Sequence, residues 1–509
     1  MGEISERYMN LFRLRSLTVL NHPILGSIHQ DFCPGEYIPD GIYTSVVIGA
    51  NGIGKSNLLR ILAEIFCCLE NIKLEETPIA PKYYFKITYI SQWKQFEFAN
   101  FRDSNIVEQK ARRYTNFVFK ENDTDTDIRT MIIPKRVIAS STTVTDKFVA
   151  KSTEMYRYKG LRNESSPSST GTRTMVRKTV DGLLNSLDIK YGFRRELQNL
   201  LEHLGLQPKL ELTYSLKYKQ YLVKRDITKS DLIHLYEHQK DIFGKRETEL
   251  WGTRKFMKMK EEEEWKLDTV AYFLQKIAYK GFDDGKNMLR YDLLADDSSI
   301  SEDKDAIKIL SQLDILSYPS LKIYKNNQDE NYPFDQSSSG ESTILCQMVN
   351  IMSEIEPNSL ILIDEPEASS HPNWQISYIG WLKSIFQRYY NCHFVIATHS
   401  HFILTDLEPS SSDIIALEKT KDGLIKDVSE GVNTFNWSVD DILYRVFHIR
   451  NTRNYVFESK VIELCKLVEN RGSKDKAKAL INELSPYKLN GDDPIVKLLK
   501  IANDYVEFK

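Results

Sequence analysis

GANGIGKS, Gly49 to Ser56, fits the pattern G-x-x-x-x-G-K-[S/T], and its flanks make it more than a glycine turn. YTSVVIGA, ahead of it, is a compact β-branched run. NLLRILAEIFCCLE, behind it, puts Leu58, Leu59, Leu62, Ile65 and Phe66 on one helical face. Strand, glycine-rich turn, then helix is the context in which this pattern cradles phosphates. The glycines let backbone N–H groups wrap the ligand. Asn51, Gly52 and Gly54 belong to the turn, and Lys55 reaches the β- and γ-oxygens as a point charge. The Ser56 hydroxyl ligates Mg²⁺, with Asn57 next to it in the helix. The expected cofactors are ATP and Mg²⁺.

SLILIDEPE, Ser359 to Glu367, is an apolar strand ending in two carboxylates. Asp364 is expected to hold Mg²⁺ through water, and Glu365 to orient or deprotonate the attacking water. A paired acid after a strand is common in surface loops; the phosphate cradle elsewhere in the chain favours the functional reading. HFVIATHSHFIL follows, and His399 at the end of its β-like run is placed to contact the γ-phosphate; His401 has no such argument. In QSSSGESTIL, Gln336 to Leu345, a small-residue loop opens a helix with Ile344, Leu345, Met348, Ile351 and Met352 on one face. A helix start presents free N–H groups and the positive end of a dipole, which suits an anion.

The 509 residues are 41% hydrophobic and 27% charged, ordinary for a globular protein. A net charge of −3 excludes a globally basic nucleic-acid binder, though not a local basic patch. No apolar run approaches the ~18 residues that would span a membrane, and MGEISERYMN has no apolar signal core. The six cysteines include no CxxC, which points to reduced thiols in the cytoplasm rather than a zinc ribbon.

Strands are expected in LFRLRSLTVL, YYFKITYI, NFVFK and MIIPKRVIAS. Composition shifts near residue 150, at a Ser/Gly/Pro/Arg-rich loop. From roughly 180 to 310 the pattern is helical, with Phe193, Leu197, Leu200, Leu201 and Leu204 on one face and Leu267, Val270, Ala271, Leu274 and Ile277 on another. SLKIYKN and DIIALEK add strands around the two acids and His399. The last ~70 residues read as short helices. Their apolar faces are Val461, Leu464, Cys465 and Val468; Ala477, Leu480, Ile481 and Leu484; and Ile495, Leu498, Leu499, Ala502 and Val506.

P-loop, a distant S-S-G-E at a helix start, the DE strand, SSHP, then the histidine: this order resembles the head of ABC-type ATPases. The fold class so implied is α/β, a P-loop ABC-type ATPase head with a helical insertion and a C-terminal helical extension. Its expected parts are 1–150 (P-loop half of the head), 151–318 (insertion), 319–435 (signature, Walker B and His399) and 436–509 (partner docking). QSSSGE resembles the family's signature motif, with Ser339 at the first glycine and Glu341 in place of glutamine, the latter usual in the DNA-repair and chromosome-maintenance branch. The resemblance implies that Ser338, Gly340 and Glu341 bind the γ-phosphate held by another copy, so that the chain works as a head-to-tail dimer or higher oligomer. RVIASSTTVTDKF occupies the place of the family's glutamine loop without a glutamine; Ser140 to Thr143 and Asp146 both stay open as its equivalent.

PKRVIASSTTVTDKF, DEPEASSHPNWQ, ATHSHFIL and SVDDILYRVF resemble the ATPase subunit of Septu-type anti-phage defence systems, some of them linked to retrons. That resemblance implies an ATP-hydrolysing regulatory subunit controlling a separately encoded HNH nuclease through ATP-dependent dimer closure. It extends to a retron's reverse transcriptase and msDNA as further partners, and leaves room for nucleic-acid contact. The alternative is a RecF-like repair ATPase clamping DNA directly. No intrinsic nuclease is expected: after His399, Glu458 and the adjacent Asp492 and Asp493 do not make the glutamate and Asp-x-Asp set of a Toprim site. HLYEH, with His234 and His238, lacks a third metal ligand.

Overall fold

The computed structural model describes residues 11–35, 38–39, 41–102, 116–162, 171–187, 192–238, 253–280, 288–295, 300–326, 331–389, 391–420, 425–428, 434, 437–446, 454–485 and 494–507. Asp492 and Asp493, and residues 163–170 of the loop near 150, lie outside them. The chain divides into two compact units, Met1–Val439 and Asp440–Lys509.

In the larger unit, a seven-stranded sheet carries the P-loop. Its strands run in the order Ile425–Asp427, Ser412–Lys419, Tyr43–Gly49, His393–Ala397, Leu360–Asp364, Val137–Ser141, Tyr156–Tyr158. All pair in parallel except the first, an antiparallel edge. Leu360, Ile361, Leu362 and Ile363 are fully buried, as are Val46, Val47, Phe394, Val395 and Ile396. Continuous apolar runs of this kind are what a parallel sheet covered on both faces requires.

A second, six-stranded antiparallel sheet has the order Gly26–Asp31, Phe12–His22, Tyr84–Ser91, Lys94–Ala99, Val118–Glu121, Thr124–Asp125. The helix Lys55–Lys73 lies in one core with both sheets: Phe12, Leu14 and Phe85 from one and Val137, Leu360 and Val395 from the other join its Leu58, Leu62 and Phe66. Ile61, Ala63 and Leu69 are buried too, so more of the helix is covered than the single face expected from its periodicity.

The middle of the chain differs from the sequence expectation. Helices Thr172–Ser186, Phe193–His203, Trp265–Lys280 and Ile300–Gln312 are present, but strands Leu206–Ser215 and Met288–Asp292 interrupt them. With Ser320–Lys325 and Asn331–Pro333 they form an antiparallel four-stranded sheet. The insertion is therefore mixed α/β rather than helical. Apolar Leu210, Leu212 and Tyr214 alternate with polar Glu211 and Thr213, the period of two that marks a strand, although Thr213 is buried as well.

In the smaller unit, helices Tyr455–Glu469, Lys474–Leu484 and Pro494–Glu507 pack around Leu464, Ala477, Ile481, Leu484 and Ala502. Val461, Val468, Leu480, Leu498, Leu499 and Val506 join that core, so the three apolar faces are used on one another. Tyr455, Val456, Ile462 and Ile501 remain exposed.

Candidate nucleotide site

Parallel strands end at one edge of their sheet, which is where ligands of open α/β folds bind. Here the strand leading to His399 lies between the P-loop strand and the Asp364 strand, with Ala397 level with both Val47 and Asp364. Gly49, Asp364 and His399 are thereby delivered to the same edge, although 315 and 35 residues of chain separate Gly49 from Asp364 and Asp364 from His399.

At Gly54, the N-cap of the P-loop helix, φ is +110°, a left-handed backbone that favours glycine, and a Cβ would also meet the end of the Leu25 side chain. Only glycine fits this position. Asn51 and Gly52 are exposed in the turn, and Asn57 is half-buried in the first helical turn. Lys55 is buried; its Nζ donates to Gly49 O at 2.8 Å and to His399 Nδ1 at 3.0 Å. Burial lowers its pKa to about 8 against the opposing pull of Glu367, Glu365 and Asp364. It is a cation held among carboxylates without a dedicated carboxylate bond, ready for a phosphate.

Ser56 Oγ donates to Asp364 Oδ1 at 3.0 Å. Burial raises the Asp364 carboxyl to about 7, and the Ser56 bond only partly offsets this. A buried hydroxyl–carboxylate pair whose charge is disfavoured without a counter-ion fits a divalent cation, and Ser56 and Asp364 are the residues that would hold Mg²⁺.

Glu365 has φ +50°, a left-handed backbone that costs a non-glycine residue of order 1 kcal/mol or more. It is pinned from two sides: its N–H donates to Ala397 O at 2.9 Å, and Thr142 Oγ1 donates to its carbonyl at 3.1 Å. Its side chain is half-exposed, with Oε1 3.9 Å from His399 Nε2. Burial, then Lys55, lowers the His399 pKa. A neutral ring accepting from Lys55 at Nδ1 carries its proton on Nε2, on the side of Glu365.

Glu367 was not singled out from the sequence. Its Oε1 accepts from His399 N at 2.6 Å, its Oε2 is buried without a hydrogen-bond partner, and burial raises its pKa. The signal was present as the second glutamate of DEPE. Of the two glutamine-loop candidates, Ser141 lies level with Asp364 and Thr142 reaches Glu365, while Asp146 is engaged by Arg162 at 2.6 Å and Tyr158 at 2.7 Å.

The structure brings Lys55, Ser56, Asp364, Glu365 and His399 together. Ser338, Gly340 and Glu341 form a separate group. Ser338 is the N-cap of helix Ser339–Glu354 and forms a capping box with Glu341: Ser338 Oγ accepts from Glu341 N at 3.2 Å, and Glu341 Oε2 accepts from Ser338 N at 3.0 Å. Glu341 thus serves the helix end, with Tyr332 OH 3.4 Å away. Ser338 and Ser339 are exposed but Gly340 is buried; a Cβ on it would meet Ser369 O at 2.9 Å and Trp374 at 3.0 Å. The glycine lets the signature-like turn lie directly on the segment that follows Glu365.

The family model of the AAA ATPase domain matches residues 35–404. No curated protein matches the chain. Among solved structures it is similar to the Smc head domain of Pyrococcus furiosus bound to the C-terminal domain of ScpA (12% identity, 87% of this chain and 100% of that one, TM-score 0.32). It is also similar to the SMC head domain of Thermotoga maritima (10% identity, 82% and 98%, TM-score 0.35). A third is the ATP-bound recombination mediator RecF (14% identity, 82% and 98%, TM-score 0.28). Among the described residues no helix is long and apolar enough to cross a membrane. A match spanning well over half the chain, and containing every residue of the P-loop cluster, shows that this is a mixed α/β ATP-binding head and a member of the AAA ATPase domain family.

Proposed function

We propose that the chain hydrolyses ATP in pairs of copies, each site completed by the Ser338–Gly340 turn of the other, and that closure of the pair controls an HNH nuclease in an anti-phage defence complex. The observation that carries the reading is the convergence of Lys55, Ser56, Asp364, Glu365 and His399 at one sheet edge. Mg²⁺, when bound, neutralises phosphate charge. Lys55 contributes a fixed cation, and its removal from water strengthens its field on an anion. Glu365 takes the proton of the attacking water, with its main chain locked by Thr142 and Ala397. His399, held by its peptide N–H on Glu367, orients both Lys55 and Glu365.

Composite sites are supported by the exposed Ser338 and Ser339 at a helix start whose side-chain bonds are local. The test mixes Lys55→Ala chains with Ser339→Arg chains, each inactive alone, and measures ATP turnover. Recovery in the mixture supports pairing, because one of the two sites is then intact. No recovery at any ratio, with pairs verified by sedimentation, argues for self-contained sites. Ser339 suits this test better than Gly340, where a larger side chain would strike Ser369 of its own chain. The nuclease assignment is tested separately, by co-expression with an HNH protein encoded beside the chain.

A further inference from the structure

Helix Trp265–Lys280 buries Leu267, Val270, Phe273, Leu274 and Ile277 on one side. On the other it exposes three large aromatics: Trp265 at 61%, Tyr272 at 72% and Tyr279 at 68%. Single exposed aromatics are unremarkable on a protein surface. These three stand seven residues apart, so they form one stripe that drifts only about 20° per step around the helix. Sequence periodicity at the buried positions accounts for none of them.

The stripe is also close to palindromic about Tyr272. Trp265 and Tyr279 are equidistant from it. So are Glu264 and Lys280, Asp268 and Lys276, and Thr269 and Gln275. The acids of these pairs lie on one arm and the bases on the other; Lys266 on the acidic arm pairs with Glu263 and lies 5.6 Å from the Trp265 ring, and Arg225 stacks 5.3 Å from the Tyr279 ring at the basic end. Within the chain Lys229 bridges Glu264 and Asp268, and Lys276 bonds Glu302 and Asp303, while Lys280 is exposed.

We infer that this face binds a second copy of the chain, helix against helix and antiparallel, with Tyr272 on the two-fold axis. In that arrangement Trp265 of one copy meets Tyr279 of the other, and Glu264 meets Lys280. A seven-residue seam is the repeat that lets two helices stay in contact in a left-handed pair. A parallel pair would instead set acid beside acid and base beside base. At these exposures the rings offer on the order of 400 Å² per copy. The pair thus covers roughly 800 Å², below the ~1,200 Å² of a durable interface. The stripe makes a weak, concentration-dependent dimer that gains when a second contact links the same copies. It needs no nucleotide and stands independently of the proposed ATP-driven closure.

The experiment uses the full chain without nucleotide. Wild type and Lys55→Ala should both self-associate in sedimentation at tens of micromolar, and Tyr272→Glu, which sets two carboxylates together on the axis, should weaken this at least tenfold. Lys280→Glu should weaken it and Lys280→Glu with Glu264→Lys restore it. Direction is read by disulfide trapping against the wild-type cysteines as control. Tyr272→Cys should cross-link to itself. Trp265→Cys should not, since two such residues lie about 20 Å apart in the antiparallel pair, but it should cross-link to Tyr279→Cys in a mixture. A wild type that stays monomeric at 100 μM, as it would if the stripe served a nucleic acid or another protein, overturns the inference. So does self-linking of Trp265→Cys as readily as Tyr272→Cys. Folding of each variant is checked by its melting profile, and the cross-linking pattern stands even if Tyr272→Glu fails to fold.

Discussion

Replacing Lys55 by Met separates the charge from the packing of its stem. Nζ holds Gly49 O at 2.8 Å and His399 Nδ1 at 3.0 Å, and burial outweighs the attraction of Glu367, Glu365 and Asp364, lowering its pKa to about 8. The charge is therefore a cost in the nucleotide-free protein, and Lys55→Met should melt at the same temperature or higher. With ATP the sign reverses. A charge-assisted phosphate contact is worth about 1.5–3 kcal/mol, or roughly 10- to 150-fold in affinity. At an ATP concentration a hundred times the wild-type Kd, binding stabilises by about 2.7 kcal/mol; for a hundredfold weaker variant this falls to about 0.4 kcal/mol. Thermal unfolding with and without Mg²⁺–ATP reads both effects on one sample. A variant that keeps the wild-type nucleotide shift would refute the placement of the phosphate. One that unfolds without nucleotide would refute the claim that burial outweighs the carboxylates.

Glu365→Gln should bind ATP but turn it over at least a hundredfold more slowly, accumulating a closed pair in sedimentation with ATP; unchanged turnover would remove Glu365 as base. Gly340→Ala puts a Cβ 2.9 Å from Ser369 O, and should lower stability by about 1–3 kcal/mol and disturb turnover without touching the P-loop, as measured by denaturant melts and ATPase rates. Burial raises the Asp413 carboxyl from 3.8 to about 7, so the folded chain binds the extra proton and that share of stability is lost as pH rises from about 4 to about 7; Asp413→Asn should lose less between pH 5 and pH 8 than wild type in paired melts. Deleting 455–509 should leave ATP binding intact and abolish co-purification with the nuclease; full retention by a folded truncation would move docking to the first unit.

The P-loop strand and helix were legible because local pattern and tertiary demand agree there. Tyr43–Gly49 is buried because its sheet is covered on both faces, and Gly54 is glycine because its φ of +110° strains any other residue. Leu206–Ser215 was not legible for the opposite reason. LQPKLELTYS carries its alternation only over the last six residues, between leucine-rich helices whose period of about 3.6 dominates a wider window. The C-terminal faces were read correctly as apolar, but nothing in a face says what covers it. There each face covers another, so in the proposed complex a partner at that unit would meet outward residues such as Tyr455 and Ile462.

Within the site, the residues visible in the sequence are those whose chemistry needs a motif. The contacts that support them come from elsewhere in the chain. Thr142 fixes the strained Glu365 backbone, and Glu367 holds the peptide of His399. Thr142 falls in the stretch that occupies the place of the glutamine loop, and Glu367 is the second glutamate of DEPE, but neither position by itself states the contact it makes. Gly340 belongs with these. Read alone it is one letter of a signature, but its closeness to Ser369 and Trp374 joins the signature turn to the chain leaving Glu365. A phosphate bound at Ser338 from another copy would press on a turn in contact with the segment four residues past this copy's own base. In the proposed pairing, communication between two composite sites would need no distant relay. It would follow from the absence of a single methyl group at position 340, which lets the turn lie against Ser369 and Trp374.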